Sequence, residues 1–349
     1  MDLANGALRQ IVTRLPKIEL HRHLEASFRL PTLIEIAIEH NIEMPEYTIE
    51  MLRPFVQMMP GEERSPQHFL AKFLTLRQFF CSPEIIRRVT REAIEDAAAD
   101  NIKYMELRLT PRALSNILNC SFQSVMEWIC AEVEAAQALH DIQVRLILSM
   151  NRHESVEIGQ QVLEVALAFR DRGVVAVDLA GNEQEYSAKP FQDIFHRARV
   201  EGLGITIHAG EWAGAQNIRD AVETLYADRI GHGVRVIDDP LLIHWLAEHG
   251  TALEICPTSN VDSGVVADWH EHPLPHLYRE GVTTTINTDD PLICNITLTD
   301  EIIRAIDEMD FTLDDIKRNI LNAAQSAFLP PAERAALVSR FQQMLEFDT

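Results

Sequence analysis

Basic side chains are scarce in this sequence: Lys and Arg number 31 against 53 Asp and Glu, a formal net charge of −22. A surface of that sign opposes a phosphate backbone and an anionic membrane, so neither nucleic acid nor membrane is an expected partner. A neutral or cationic small molecule fits the charge better. Cysteine is scarce too, with Cys81, Cys120, Cys130, Cys256 and Cys294 odd in number, widely spaced and never in a CxxC pair. That spacing argues against a disulfide framework and a thiolate zinc site, and predicts packing residues. No apolar run approaches the ~18 residues of a membrane span. The opening MDLANGALRQIVTRLP lacks a basic cap, an apolar run and a small-residue cleavage site, so a cytoplasmic enzyme is expected.

What the chain does have is rhythm. Strand-like segments alternate with amphipathic helical ones, and the strand candidates are Lys17 to His21, Lys103 to Thr110, Gln143 to Ser149, Val174 to Leu179, Gly204 to His208, Arg229 to Ile230, Ala252 to Cys256 and Thr283 to Thr288. VVAVDLA and GITIHA are nearly continuous in apolar character, as strands buried on both faces of a parallel sheet are. Between strands, stretches such as SPEIIRRVTREAIEDAAADN repeat apolar residues at helical spacing. The alternation predicts an α/β fold, a (β/α)8 TIM barrel, as one domain over residues 1–349. Two segments break the rhythm. About 80 residues separate the first two strands, more than a barrel connection needs, and within them residues 31–80 are expected to form a helical, lid-like insertion. After Pro291 the tail reads as extra C-terminal helices.

The polar residues end these strands. His21 and His23 in LHRHLE, His208 in IHAGE, His232 in GHG and Asp289 in NTDDP fall at or just past the ends of strands one, five, six and eight. The C-terminal strand ends of a barrel form its catalytic face, so these side chains should converge. His21 and His23 are two apart on an extended strand and can point to one side. The set makes a mononuclear zinc hydrolase the first hypothesis. A second HxH, His270 and His272, is read as surface loop, and isolated histidines such as His40 and His68 as surface or satisfied core residues.

LHRHLE, DLAGNE, ITIHAGE, RIGHGVR, ICPTSN and INTDDPL together resemble the adenosine deaminase branch of the amidohydrolase superfamily, and FLAKF and KYMELRLTP extend the likeness over nearly the whole chain. The resemblance implies that His21, His23, His208 and Asp289 bind one Zn2+, a donor set that suits this borderline-soft ion. It further implies that His232 orients a water and helps take its proton, with Asp289 assisting, and that Glu211, one turn on if HAGE opens a helix, protonates ring N1. Gly181 would hold purine N3 through its backbone and Asp290 would hydrogen-bond N7. Read from their own chemistry, Gly181 also fits an ordinary turn and Asp290 a helix N-cap before Pro291.

The implied activity is hydrolytic deamination of a small 6-aminopurine, adenosine or deoxyadenosine foremost. One departure touches the substrate: adenosine-specific members usually read HxHLDG, where this chain has Glu25 and Ala26. Glu25 stands where the family aspartate meets the ribose 5′-hydroxyl. Adenine, or a modified aminopurine nucleoside such as aminodeoxyfutalosine, therefore stays open as an alternative. The cytidine-type zinc deaminases need PCxxC after HxE, and no PCxxC exists here. Two-metal barrels often carry a bridging lysine after strand four, where this chain has Gly181. A catalytically dead nucleoside-binding protein on the same scaffold is the non-enzyme alternative; it should lack one of Glu211, His232 or Asp289, and none is missing. The sequence leaves the oligomeric state undetermined.

Overall fold

The computed structural model describes residues 2–44 and 47–346. Residue 1 and residues 347–349 of the expected domain, and residues 45 and 46 of the expected insertion, lie outside the described residues. Eight strands, β1 (Lys17–His23), β2 (Ile102–Leu109), β3 (Gln143–Asn151), β4 (Val174–Ala180), β5 (Gly204–Ala209), β6 (Arg229–His232), β7 (Ala252–Ile255) and β8 (Thr284–Ile286), stand side by side in chain order. Each neighbouring pair is parallel. The ring closes at the end of β8, where Asp289 N–H donates to the His21 carbonyl at 2.8 Å and His23 N–H donates to the Asp289 carbonyl at 2.9 Å. The barrel is thus joined through a residue expected to hold metal.

The strands differ from the sequence expectation mainly at their ends. β1 and β6 run on to include His23 and His232, so both histidines are held by strand backbone. β8 is shorter than Thr283 to Thr288, because side chains take over the pairing there: Asn287 Oδ1 accepts from Leu20 N–H at 2.9 Å and the Glu19 carboxylate accepts from Thr288 N–H. Amphipathic helices wrap the outside. Helix α5 (Pro83–Ala99) is N-capped by Ser82 and turns Ile86, Val89, Ala93 and Ala97 inward.

The segment between β1 and β2 begins with a 3-10 turn (Leu24–Ala26) and carries helices α2 (Leu30–Glu39), α3 (Ile49–Val56) and α4 (Pro66–Arg77) before α5. Three helices, Leu298–Met309, Leu313–Ser326 and Pro331–Glu346, follow β8. Among the described residues no helix is long and apolar enough to cross a membrane. Cys130, Cys256 and Cys294 are buried, Cys81 and Cys120 half-buried, and all are free thiols.

Barrel interiors are usually layers of branched apolar side chains. This one holds a buried ionic lattice. Glu254 on β7 accepts from His21 Nδ1 and Arg108 Nη2, both at 2.6 Å, on one oxygen, and from Arg229 Nε at 2.6 Å and Thr206 Oγ1 at 3.0 Å on the other. Arg229 also meets Glu106 at 2.7 Å. Buried charges offset their desolvation only when closely paired, and removing one partner typically costs about 3–5 kcal/mol. The lattice fixes the floor beneath the catalytic face.

Candidate active site

Side chains from four strand ends meet at the C-terminal mouth. Ligand atoms of His21, His208, His232 and Asp289 all lie within 4.8 Å of one another, and His23 groups with Asp289 and Asp290. His21 Nε2 and His23 Nε2 stand 3.2 Å and 3.3 Å from the same Asp289 oxygen. His21 Nε2 is buried with no hydrogen-bond partner. An unpaired nitrogen facing a carboxylate within a cluster of imidazoles is what a cation site requires, so these residues fit a metal ion. Burial lowers the His208 pKa to about 4, keeping its ring neutral.

Hydrogen bonds from beneath set the ring tautomers. His21 Nδ1 faces Glu254 at 2.6 Å and His208 Nδ1 faces Asp178 at 2.9 Å. With each Nδ1 proton given to a carboxylate, both rings present an Nε2 lone pair upward, the arrangement common to histidine metal ligands. His232 is set the other way. Leu274 N–H donates to His272 Nδ1 at 3.0 Å, so neutral His272 carries its proton on Nε2 and gives it to Asn260 Oδ1 at 3.3 Å. The Asn260 amide NH2 must then face His232 Nδ1, 3.1 Å away, which accepts. Neutral His232 therefore carries N–H at Nε2, directed at Glu211 (3.6 Å) and Asp289 (3.9 Å). This separates His232, a donor, from the rings that offer lone pairs, although all crowd together. His272 was expected on a surface loop; it is buried, since it packs under this chain of bonds, while its HxH partner His270 is exposed.

The condition that HAGE opens a helix is not met. Residues after β5 form a loop whose Gly210 adopts φ +65°, and the next helix begins only at Ala215. The reason is Glu183. Its buried carboxylate accepts from the backbone N–H of Gly210 (2.9 Å), Glu211 (2.6 Å), Trp212 (2.7 Å) and Ala213 (3.1 Å), gathering four donors that a helix would have spread along its axis. Glu183, the last residue of DLAGNE, was not among the expected site residues, although it lies in a motif already singled out. Glu211 is held buried at the mouth, and burial first, then the charges of Asp289 and Glu183, push its pKa well above the usual carboxylate range. Asp289 and His232 themselves take φ of +59° and +61°, uncommon for residues with a Cβ.

Above these groups lies a cavity of about 410 Å³ lined by His23, Glu25, Gly181, His208, Glu211, His232, Asp289 and Asp290 among others. Every expected site residue except His21, which lies beneath, faces it. Gly181 has φ +94°, which an L side chain would strain. No helix starts at Asp290; its Oδ1 is buried without a partner, and burial, then Asp289, Glu211 and Glu25, raise its pKa. Glu25 Oε1 accepts from Thr110 N–H at 2.6 Å, while Oε2 is buried and free. Ser259, also unforeseen, donates to Asp289 Oδ2 at 2.6 Å. A larger cavity of 1180 Å³ opens at the opposite end, among strand starts such as Val174, Gly204 and Ala252, away from the histidine cluster.

Comparison with known proteins agrees with this geometry. A family profile described as adenosine deaminase matches residues 16–344. An adenosine deaminase of Clostridium perfringens is 35% identical over 314 residues, 90% of this chain and 94% of its own. The crystal structure of adenine deaminase from Arthrobacter aurescens superposes with a TM-score of 0.86 at 25% identity, covering 95% of this chain and 99% of that one. That of the Arabidopsis N6-mAMP deaminase gives 0.85 at 27% identity, covering 96% and 99%.

Proposed function

The chain belongs to the adenosine deaminase family, and from that premise we propose that it converts a 6-aminopurine nucleoside, adenosine or deoxyadenosine in the simplest case, to the 6-oxopurine and ammonia with one zinc ion per chain. It is a hydrolytic deaminase of aminopurines; the nucleoside, the single zinc and a cytoplasmic setting are our reading. The observation that carries it is a buried Glu211, its pKa pushed well above the usual carboxylate range, placed beside His232 and the imidazole cluster.

His21, His23, His208 and Asp289 would hold the ion. Zinc there supplies a Lewis acid that makes water a nucleophile at neutral pH. The chain's own groups do the rest. Glu211 gives its proton to ring N1, which draws electrons from C6. Asp289 takes the proton of the attacking water; His232, expected to help take that proton, already carries hydrogen on Nε2 in this reading and instead donates to the incoming oxygen. Oxygen bonds to C6, and collapse of the tetrahedral carbon returns the Asp289 proton to the departing amine, while the C6 hydroxyl proton restores the acid form of Glu211. Gly181 N–H meets N3, and Asp290, protonated, donates to N7. Helix α4, which borders the cavity, acts as a lid.

A sugar is favoured over a free base by Glu25, whose buried, unpartnered Oε2 needs a hydroxyl donor. The test is ammonia release by the zinc-loaded protein from adenosine, deoxyadenosine, adenine and N6-substituted purines. Turnover of the nucleosides is expected; silence with every substrate would sink the deaminase reading, and turnover of adenine alone would sink the nucleoside.

A further inference from the structure

Another cavity, of about 690 Å³, opens outside the barrel beside β1, between the start of helix α2, the end of helix α5 and the segment that follows β8. Arg22, the middle residue of the first HxH, lines this cavity and not the catalytic one. It is only 7% exposed. Its Nε–H donates to Ser27 Oγ at 3.0 Å, and Ser27 in turn donates to the His23 carbonyl at 2.7 Å, which fixes the plane of the guanidinium. Among the described residues neither Nη nitrogen has a hydrogen-bond partner, and no carboxylate stands within ion-pair distance of Arg22. Nor is either Nη sealed off, since the fully buried nitrogens without partners belong to other residues. The free edge of the guanidinium therefore opens on the cavity.

That isolation needs a cause in a chain with 53 acidic side chains against 31 basic ones. The acids bordering the cavity are already engaged: Asp96 accepts from Arg29 at 2.6 Å, Asp300 from Arg9 at 2.7 Å and Asp100 from Thr299 N–H at 3.0 Å. Glu19, whose charge also reaches Arg22, accepts from Thr288 Oγ1 at 2.7 Å. A buried guanidinium with its edge unpaired is costly, and a neutral hydroxyl would leave its charge uncompensated. Two further features favour negative charge at the same place. Helix α2 begins at the cavity without a side-chain cap, which leaves the positive end of its dipole open. Asn295 lines the cavity too, and because its Oδ1 accepts from Gln57 Nε2 at 3.0 Å, its NH2 group remains a donor without a partner. Donors from three directions suit a tetrahedral oxyanion better than a flat carboxylate. We propose that this cavity is a second ligand site, which takes a phosphate group, free or carried on a small ester, on the Nη edge of Arg22. The bound group acts on the catalytic face without entering it. Arg22 pairs with Asp289 across the barrel closure and stands between two of the proposed metal ligands, so the phosphate ties β1 to α2 and to the segment after β8.

The test is calorimetry of inorganic phosphate, glycerol 3-phosphate and acetate at matched ionic strength, with zinc-loaded and zinc-stripped protein, in the wild type, Arg22→Gln and Arg22→Lys. Phosphate is expected to bind with and without zinc, about tenfold or more weakly in Arg22→Gln, and with part of its affinity kept in Arg22→Lys. The tighter of phosphate and glycerol 3-phosphate identifies the free or the esterified source, and acetate should bind weakest. The melting temperature should rise with phosphate in the wild type and stay level in Arg22→Gln. No phosphate binding to the wild type, binding that disappears with the zinc, a preference for acetate, or an affinity untouched by Arg22→Gln overturns the proposal. If circular dichroism shows that Arg22→Gln does not fold, Ser27→Ala takes its place: freeing the guanidinium from its fixed plane should weaken phosphate several-fold, and unchanged affinity there overturns the proposal equally.

Discussion

Glu211 illustrates how one side chain acquires a reactive state from its surroundings. Its backbone N–H and those of three neighbouring residues are gathered by Glu183, whose charge also helps keep the Glu211 proton in place. Replacing Glu211 by Gln preserves shape and removes the transferable proton. Metal content, read by atomic absorption, should be unchanged while kcat falls by roughly 10²–10⁴. Wild-type kcat in that variant would move the acid role to another group. His232 makes the complementary point: its proton position is dictated from Leu274 N–H through His272 and Asn260. Such a relay is invisible in sequence, where His272 reads as half of a loop HxH and nothing marks its burial.

At the scale of elements, the barrel was legible because apolar strands and amphipathic helices alternate eight times, and because strands one, five, six and eight end at or just before a residue too polar for the core. HxH, HAGE and TDDP pointed to the residues of the proposed metal and acid roles for the same reason. What stayed hidden depends on partners far apart in the chain. Glu254 meets His21 across 233 positions and Asp178 meets His208 across 30, and a lone acid inside a strand reads equally as a surface position. HAGE opens no helix because a side chain 28 positions before Glu211 claims the N–H groups.

The tail helices join the barrel in the same long-range way. Glu301, on helix Leu298–Met309, accepts from Thr258 N–H at 2.8 Å and Thr258 Oγ1 at 2.7 Å, and Thr258 is also bonded by Arg304. Burial lifts the Glu301 pKa from 4.5 to about 7 against those bonds. The folded chain then keeps this proton across a window, 4.5 to about 7, in which the unfolded chain has lost it. Stability contributed by Glu301 is present below that window and lost as pH rises through it. Glu301→Gln should therefore gain in melting temperature relative to the wild type between pH 5 and 8. A difference that is flat across those values would mean Glu301 is ionised throughout.

For the molecule as a whole, the proposed metal site and the barrel closure are one construction. Asp289 closes the ring by exchanging backbone bonds with His21 and His23, and its carboxylate faces the same two rings. From below, Glu254 and Asp178 hold His21 and His208 by their Nδ1 atoms, bonds that belong to the protein itself. Binding should therefore add to a fold already formed, and act where first and last strands meet. A ligand bound only by the folded state stabilises it by RT ln(1 + [L]/Kd), about 2.7 kcal/mol at a hundredfold excess over Kd. Chelator-treated protein should stay folded by circular dichroism yet melt several degrees lower than protein with zinc restored, and His208→Ala should narrow that gap. Equal melting temperatures with chelator and with zinc would show that the cluster binds no metal tightly, and that the closure at Asp289 is held by its hydrogen bonds alone.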